Sequence, residues 1–437
     1  MNILFLSQVY PGPHAPVRGT FNRALCRELS REHTVRVIAP RPWTERAAEL
    51  RRRPPAAATS QSNVAENVQA VYPTFWYLPR FGLHRSGESM LRSVRKSVAN
   101  IVATCRPDAV LSYWAHPEGE CGIELAKQLG VPAACIIGGS DVLLLPKSNP
   151  KRRERIERVL RESDALFTVS DGLREACIQL GADPARVHTT YQGVDPATFS
   201  IGERSQARRR LGLPESQTLY VWVGRLAGVK RVDRLLDAAG LLHGEGNRFR
   251  LYLVGDGPER TRLEQQVANL GLGAVVTFAG PTPPDQLADW YRAADATLLS
   301  SESEGLPNVL RESLACGTPF VSTDVGSIRE IASASCSLLV ASDDTRAFAK
   351  AMRDIISPEY RQAAEAHRSR TWRDCAVQMA SLLEDCRASR RRSPAASQPW
   401  LPQSTFKSPE AEPARLATST VEPDLLSQMN TLINHTR

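Results

Sequence analysis

Residues 298–324 constrain the fold most, because their pattern predicts a strand, an acidic loop, a helix and a second strand in direct succession. Small, polar and acidic residues at 300–305 follow an apolar segment that predicts a strand. Pro307 suits the first turn of a helix, where a missing N–H costs little. Gly317 ends that helix before an apolar strand at 320–322. Strands that alternate with helices in this way predict an α/β fold.

Two carboxylates in this stretch, Glu304 and Glu312, stand eight residues apart, one in the loop and one about two turns along the chain. A carboxylate near a helix N-terminus can accept hydrogen bonds from sugar or ribose hydroxyls. In open α/β sheets, ligands bind beyond the carboxyl ends of the strands. Taken alone, Glu304 is also consistent with an ordinary helix-start charge and Glu312 with a solvated helix position.

The string S-x-x-E-G-x-P-N-x-x-x-E-x-x-A-x-G-x-P, which runs from Ser301, resembles the E-x7-E signature of glycosyltransferase family 4. That family has the GT-B fold and uses nucleotide-sugar donors with retention of configuration. The resemblance implies that Glu304 holds the hydroxyls of the donor sugar and that Glu312 accepts a hydrogen bond from the ribose. It also places three neighbours in the donor site, namely Gly305, Leu306 and Asn308.

Two further loops in the second half of the chain resemble donor-site motifs of the family. Gly224 and Arg225 follow a predicted strand, and Lys230 completes the pattern G-R-L-x-x-x-K. A guanidinium is a planar fork and an ammonium a point charge, and both can bind a diphosphate. Exposed basic residues are usually only solvated, so the assignment of Arg225 and Lys230 as diphosphate ligands rests on the resemblance. Gly255 and Gly257 belong to a V-G-x-G-P turn that is expected to line the nucleotide site.

The first half of the chain offers weaker signals. A strand, a glycine loop and a helix meet at Gly19, a layout that can bring backbone N–H groups to a phosphate, so Gly19 and Thr20 are candidate donor contacts. A single histidine such as His116 is more often structural, but the resemblance implies a donor-contacting histidine after this strand. Gly138 stands where many relatives have a second histidine, which leaves the role of Asp141 open.

Length and composition set the broad class. A chain of 437 residues with 42% hydrophobic and 23% charged residues is long enough for two globular domains with extensions. No run of about 18 apolar residues occurs, and a strand follows Met1 at once, so we expect neither a transmembrane helix nor a cleavable signal, and a cytoplasmic protein. The nine cysteines have no C-x-x-C spacing, so we expect reduced thiols and no metal site.

The net charge of +8 favours anionic partners, which include nucleotide sugars, anionic lipids and nucleic acid. Nucleic acid is not expected, because no recognised nucleic-acid-binding motif accompanies the charge. Residues 72–96 interleave aromatic and basic side chains, which suits a peripheral contact with a membrane. Alternatively these aromatic residues belong to the core, which is the interpretation we favour for Phe75 and Trp76. A merely solvated basic surface explains the charge equally well.

The overall expectation is an α/β protein of the GT-B class, with two doubly wound Rossmann-like domains facing across a cleft. We expect disorder after residue 386, where Pro, Ser and Thr dominate. The predicted parts are an acceptor-side domain at 1–195, a linker at 196–216, a nucleotide-sugar-binding domain at 217–371, a helix at 372–386 that returns to the first domain, and a tail at 387–437.

The resemblance implies a retaining glycosyltransferase that moves a sugar from a nucleoside-diphosphate sugar to an acceptor hydroxyl, without metal or other cofactor. The residues expected to act in catalysis are Glu304, His116, Arg225 and Lys230. A sugar or lipid-linked acceptor would place the enzyme in polysaccharide, exopolysaccharide or glycolipid biosynthesis. The alternatives are a GT-B epimerase or phosphorylase, a non-catalytic membrane-associated binding protein and, least favoured for want of the dinucleotide fingerprint, an NAD enzyme. The motifs do not specify the donor base, the sugar or the acceptor.

Overall fold

The computed structural model describes residues 1–13, 15–16, 18–51, 68–77 and 82–392. The predicted disordered tail beyond Arg392 lies outside the described residues. The chain divides into two compact units. Among the described residues, the first unit comprises those within Met1–Phe167 and Ala176–His188 and those from Ala376 to Arg392, and the second comprises Thr168–Glu175 and Thr189–Cys375.

The first half of the chain builds a seven-stranded sheet in the order β4-β2-β1-β6-β7-β8-β9, with β3 and β5 paired separately. Neighbouring strands from β4 to β7 are parallel. Near-continuous apolar runs are expected for strands buried on both faces, and β1 and β6 are almost wholly buried. The strands are β1 (Asn2–Leu6), β2 (Thr34–Ile38), β3 (Arg41–Pro42), β4 (Gln69–Val71), β5 (Thr74–Phe75), β6 (Ala109–Tyr113), β7 (Ala133–Ile137), β8 (Ala165–Thr168) and β9 (Val187–Thr189).

Helices connect these strands, as the alternating pattern predicted. Helix α4 ends at Gly130, whose left-handed φ of 70° suits glycine. Helix α7 begins with Asn149, which accepts hydrogen bonds from the backbone of Lys151 and Arg152. The helices are α1 (Thr20–Leu29), α2 (Trp43–Arg51), α3 (Ser86–Thr104), α4 (Glu120–Leu129), α5 (Ser140–Leu143), α6 (Leu145–Ser148), α7 (Pro150–Glu162) and α8 (Asp171–Gln179).

The second unit contains a six-stranded sheet in the order β12-β11-β10-β13-β14-β15, and all neighbouring pairs are parallel. The strand order reverses between β10 and β13, which is the topological switch point of a doubly wound sheet. Two of the three predicted donor loops therefore begin at this point, one after β10 and one after β13, and the third follows β11. The strands are β10 (Thr218–Val223), β11 (Phe249–Val254), β12 (Val276–Gly280), β13 (Ala296–Leu299), β14 (Phe320–Thr323) and β15 (Ser337–Val340).

The predicted linker at 196–216 differs from expectation, because its second half forms helix α9 and packs into the second unit. Ala207 is buried, and the guanidinium of Arg208 is only 2% exposed. Arg208 donates to the carbonyl of Ala293 and to Asp295, so a charge that the sequence suggested was solvated is internal. The helices are α9 (Arg204–Leu211), α10 (Val232–Gly244), α11 (Arg260–Asn269), α12 (Pro284–Ala293), α13 (Asn308–Ala315), α14 (Thr345–Asp354), α15 (Pro358–Ala366) and α16 (Trp372–Arg392).

The aromatic and basic stretch at 72–96 is divided between core and surface. Phe75 is buried, which confirms its predicted place in the core. The same prediction is wrong for Trp76, which is 66% exposed and stacks on Trp43 with ring centroids 5.4 Å apart. Successive residues of an extended chain point to opposite sides, so an aromatic pair can be split in this way. Residues 78–81 lie outside the described part of the chain.

Helix α16 continues past Cys386, where we placed its end, to Arg392. Its last turns are held by two ion pairs within the first unit. Arg387 lies 2.6 Å from Asp108, and Arg390 lies 2.6 Å from Asp164. The arginine-rich sequence is typical of a solvated tail when it is considered alone. In the structure, however, the charges of Arg387 and Arg390 have partners far away in the sequence. None of the described helices is both long and apolar enough to cross a bilayer.

These ion pairs predict that the double change Arg387→Ala and Arg390→Ala lowers the free energy of unfolding by about 1 kcal/mol, the usual scale for two partly exposed pairs. The matched control changes Arg391 and Arg392, whose side chains are exposed, to alanine. Urea unfolding of both variants measures the difference. Equal stability of the two double variants would contradict a bracing role for the last turns of α16.

Candidate functional site

Lys230 and Glu304, which are 74 residues apart, meet in the second unit. The ammonium of Lys230 donates to Glu304 Oε1 at 2.7 Å, and Ser301 Oγ donates to the same oxygen. The loops themselves are joined, because Ser300 Oγ donates to the carbonyl of Lys230 at 2.9 Å. The structure thus brings together two of the predicted catalytic residues with Ser301, which begins the motif, and with Ser300.

Arg225 follows strand β10 by two residues and keeps part of its hydrogen-bonding capacity unused. Its Nη1 atom is buried and has no hydrogen-bond acceptor among the described residues. A buried donor without an acceptor costs about 1–3 kcal/mol, so such a group in a native site calls for an explanation. An anionic ligand would supply the missing acceptor.

The predicted glycines of the donor loops are explained by backbone packing. Gly255 has a φ of 137°, and a Cβ there would lie 1.8 Å from the carbonyl oxygen of Gly224. A Cβ on Gly257 would lie 2.3 Å from the carbonyl oxygen of Leu226. The loops after β10 and β11 therefore pack backbone against backbone, which only glycine allows. Gly305 has open space around its Cα instead.

Glu312 lies on α13 and is only partly exposed. Its Oε2 accepts a hydrogen bond from the hydroxyl of Tyr291 at 2.8 Å. Burial raises the pKa of Glu312, and Tyr291 and Arg311 oppose that rise. It is therefore not the freely solvated position that the pattern alone allowed. Its predicted contact with the ribose stays a prediction.

Arg311, next to Glu312, is a buried cation that the sequence analysis did not select. Burial lowers its pKa to about 10. The guanidinium donates to the backbone carbonyl of Gln192 and to the side chain of Asn308, so the predicted donor residue Asn308 is held by its own helix. Leu306 lies in the loop before this helix and is partly exposed.

His116, in the first unit, is fully buried rather than presented at a surface. Arg152 Nε donates to His116 Nδ1 at 3.2 Å, and His116 Nε2 lies 3.4 Å from Glu120 Oε2. Burial lowers the pKa of His116, so the ring tends to be neutral. Both ring nitrogens thus contact residues of the same unit. Through its contact with Arg152, His116 helps to position the guanidinium of that arginine. Its predicted contact with a donor sugar stays a prediction.

Gly19 and Asp141 have clear structural roles in the first unit. Gly19 has a left-handed φ of 65°, and a Cβ there would lie 2.3 Å from the carbonyl oxygen of Val9, at the turn that starts α1 with Thr20. Asp141 is buried and accepts hydrogen bonds from the backbone N–H groups of Ala115 at 3.1 Å and Gly139 at 2.8 Å. Asp141 therefore ties the ends of β6 and β7 together, which gives a role to a residue whose function the sequence left open.

Comparison with known proteins identifies the family. The family described as "Glycosyltransferase Family 4" matches residues 19–198, and "Glycosyl transferases group 1" matches residues 203–371. The D-inositol 3-phosphate glycosyltransferase of Acidothermus cellulolyticus is 33% identical over 303 residues, which cover 64% of this chain and 67% of the relative. The chain belongs to glycosyltransferase family 4. A putative teichuronic acid biosynthesis glycosyltransferase of Bacillus subtilis, TuaC, is 27% identical over 80% of this family 4 chain and 88% of its own length.

Solved structures confirm the GT-B fold of this family 4 glycosyltransferase. Sucrose-phosphate synthase from Thermosynechococcus elongatus superposes with a TM-score of 0.70 at 20% identity, covering 89% of this chain and 99% of the other. Anabaena HepE, solved in complex with UDP-glucose, gives a TM-score of 0.60 at 18% identity, covering 90% and 99%. The family assignment also favours transfer over the epimerase, phosphorylase, NAD-enzyme and binding-protein alternatives.

The contact between Tyr291 and Glu312 predicts a pH-dependent loss of stability in the Tyr291→Phe variant. The hydroxyl stabilises the ionised carboxylate, so its removal raises the pKa of Glu312 further. A carboxyl whose pKa is higher in the folded than in the unfolded protein stabilises the folded state at low pH. That contribution to the free energy of unfolding is lost as the pH rises through the folded-state pKa. We expect a loss of about 1.5 kcal/mol at high pH, typical of a hydrogen bond to a charged group, and a smaller loss in acid.

Urea unfolding from acidic to alkaline pH measures this dependence. The matched control is Tyr220→Phe, because the hydroxyl of Tyr220 donates to the neutral backbone carbonyl of Met352 at 2.7 Å. Its loss of stability should not vary with pH. The same pH slope in both variants would show that Glu312 is not the group that responds.

Proposed function

We propose that this glycosyltransferase moves a sugar from a nucleoside-diphosphate sugar to an acceptor hydroxyl with retention of configuration. The observation that carries the proposal is the 2.7 Å contact between Lys230 and Glu304 at the switch point of the second unit. Arg225, with its unpartnered Nη1, follows the same strand as Lys230. Cations and a hydroxyl-binding carboxylate at one sheet edge fit a charged diphosphate joined to a neutral sugar.

The proposed chemistry uses fixed charge rather than a strong base. Negative charge grows on the diphosphate as the glycosidic bond breaks, and preorganised cations stabilise that charge. Arg225 would bind two phosphate oxygens as a planar fork, and Lys230 would bind as a point charge. Glu304 would then turn from Lys230 to the sugar hydroxyls. Because two cations neutralise the leaving group, we propose that the reaction needs no metal ion.

The nature of the donor is proposed from the neighbouring structures. HepE was solved with UDP and with UDP-glucose, which supports a nucleotide sugar as donor and makes UDP the first nucleotide to test. The relatives named for inositol 3-phosphate and for teichuronic acid support a polyhydroxylated acceptor, and we propose a role in polysaccharide or glycolipid biosynthesis.

A thermal-shift screen tests the donor proposal directly. A specific ligand raises the melting temperature by mass action, so UDP, GDP and ADP, and their sugars, can be compared on the full chain. We expect one nucleoside diphosphate to stabilise the protein and Lys230→Ala to abolish that stabilisation. Release of free nucleoside diphosphate only when an acceptor is present would distinguish transfer from epimerisation.

The role of Lys230 predicts a specific kinetic loss. Lys230→Ala should cut the turnover of the folded protein by roughly a hundredfold or more, as loss of one preorganised electrostatic contact typically does. Lys230→Arg should restore turnover only in part, because a planar fork does not reproduce a compact ammonium. Steady-state kinetics with the nucleotide sugar found in the screen, and circular dichroism for folding, provide the measurement.

The matched control for this prediction is Lys350→Ala. Lys350 is an exposed lysine of the same unit, 68% exposed at its side chain and paired with Asp354. Its removal should leave turnover unchanged. If Lys230→Ala also kept near-normal turnover, the diphosphate would not bind at the loop after β10.

We further propose a peripheral contact with anionic membrane through the first unit. Trp76 and Trp43 form an aromatic pair of which Trp76 is 66% exposed. Arg92, Arg95 and Lys96 are exposed on helix α3. Aromatic and basic side chains together suit the interface between headgroups and acyl chains. A lipid-linked acceptor would explain why the enzyme gains from this contact.

Reversal of these three charges to glutamate should reduce co-sedimentation with anionic vesicles, because each basic residue near such a surface contributes about 1 kcal/mol. Added salt should weaken wild-type binding in the same assay. A matched triple reversal in the second unit, at the exposed Arg209, Arg248 and Lys350, serves as control. Equal vesicle binding by the wild type and both triple variants would refute this membrane contact.

A further inference from the structure

Glu304 is held by one of its two carboxylate oxygens. Lys230 and Ser301 both donate to Oε1, and no described residue donates to Oε2. The second oxygens of Glu118 and Glu120 are unpartnered and sealed from solvent, whereas Glu304 Oε2 is not sealed. The side chain of Glu304 as a whole is 9% exposed. Glu304 therefore offers one oxygen to a ligand while the protein holds the other.

Ser301 contacts this carboxylate from a firmly fixed position. It is fully buried and precedes Glu304 by three residues in the same loop. Its carbonyl accepts a hydrogen bond from the hydroxyl of Thr323 on β14 at 2.6 Å. A Cβ on Gly326 would lie 1.8 Å from the carbonyl oxygen of Glu304, so the backbone at the other end of this stretch is closely packed too. The direction of the Glu304 carboxylate then depends chiefly on the donors to its side chain.

The hydroxyl of Ser301 differs in its acceptor from those of other buried serines in the second unit. Ser300, Ser313 and Ser337 each donate to a backbone carbonyl, which satisfies the hydroxyl and joins neighbouring segments. Ser301 donates to a carboxylate instead. A hydrogen bond to a charged acceptor is roughly twice as strong as one between neutral groups. This contact is therefore suited to orienting the carboxylate.

The contact with Lys230 cannot keep Glu304 in place throughout the proposed reaction. In that reaction Lys230 binds the diphosphate, and Glu304 turns to the hydroxyls of the sugar. Among the described residues, Ser301 is then the donor that remains on Oε1. A side chain that is free to rotate loses that freedom when a ligand binds, and the loss weakens binding. A fixed donor that does not depend on the ligand avoids this loss.

We propose that Ser301 is a positioning residue of the donor site. It holds Glu304 Oε1, so that Oε2 accepts a hydrogen bond from a hydroxyl of the donor sugar once Lys230 has moved to the diphosphate. This inference rests on the proposed function, because it gives Ser301 a part in binding the sugar of a nucleotide-sugar donor. Ser301 acts through Glu304, and Thr323 supports it by fixing its carbonyl.

Separate measurements of nucleotide and nucleotide-sugar binding test this role on the full chain. Calorimetry with UDP and UDP-glucose comes first, and the pair that gives the largest shift in the thermal-shift screen replaces them if it differs. Ser301→Ala should weaken binding of the nucleotide sugar by about tenfold, the scale of a hydrogen bond to a charged group. It should leave the affinity for the nucleoside diphosphate nearly unchanged. Lys230→Ala should weaken the binding of both ligands.

A double-mutant cycle shows whether Ser301 acts through Glu304. Residues of one hydrogen-bonded network have non-additive effects, whereas the effects of independent residues add. We expect Ser301→Ala to weaken nucleotide-sugar binding when Glu304 is present and to have almost no effect in the Glu304→Ala background. A merely structural role of Ser301 predicts the same loss in both backgrounds.

Two further variants separate this role from a general effect of mutation. Thr323→Val removes the hydroxyl that fixes Ser301 and keeps the shape of the side chain, so it should weaken nucleotide-sugar binding selectively, by about threefold. It also tests the proposal if Ser301→Ala does not fold. The matched control is Ser337→Ala, which removes a buried hydroxyl of the same unit that donates to the carbonyl of Ser333 at 2.7 Å. It should leave both affinities unchanged.

Three results would overturn the proposal. They are an equal loss of affinity for both ligands in folded Ser301→Ala, an unchanged affinity for the nucleotide sugar in Ser301→Ala and Thr323→Val, and a full effect of Ser301→Ala in the Glu304→Ala background. Each of these would leave the proposed donor chemistry standing, provided that the wild type binds a nucleotide sugar and Lys230→Ala weakens that binding. Failure of the wild type to bind any nucleotide sugar would instead overturn the proposed function and this inference with it.

Discussion

The second unit depends on the close approach of three loops at the switch point of its sheet. Gly255 allows the loop after β11 to touch the backbone of Gly224, and the backbone N–H of Glu302 donates to the carbonyl of Val229 at 2.9 Å. These backbone contacts carry the ammonium of Lys230 to within 2.7 Å of Glu304. Side chains fixed by backbone contacts lose little freedom when a ligand binds, which is the condition for electrostatic preorganisation.

The sequence predicted the alternation of strands and helices and the parallel sheets well, because these depend on local chemistry. Apolar runs predict buried strands, and Pro307 and Gly317 mark the limits of a helix. Two of the failures share one physical cause, namely charges whose partners lie far away in the sequence. Arg208 and Arg390 belong to locally polar segments, yet Arg208 pairs with Asp295 and Arg390 with Asp164. Local composition does not contain such partners, so α9 and the end of α16 were missed.

The candidate site shows the same limit at the level of single residues. The resemblance selects Glu312 and His116 as donor contacts, which stay predictions, but it could not predict their environments. Tyr291 reaches Glu312 from α12, and Arg152 reaches His116 from α7, and both contacts are made by other helices. The resemblance thus predicts which residues matter, whereas their protonation and exposure follow from packing that only the structure describes.

Two fully buried acids of the first unit, Asp141 and Glu118, differ in how far the protein satisfies their charge. Asp141 has three backbone N–H donors, from Ala115, Gly138 and Gly139, so its charge is satisfied by the protein. Glu118 is equally buried, and the two hydrogen bonds that it accepts from Gln8 both reach Oε1. Burial is therefore the same for both, and the difference lies in the number of donors. An unmet buried hydrogen-bonding atom costs about 1–3 kcal/mol, so the extra backbone donors make Asp141 the better satisfied of these two carboxylates.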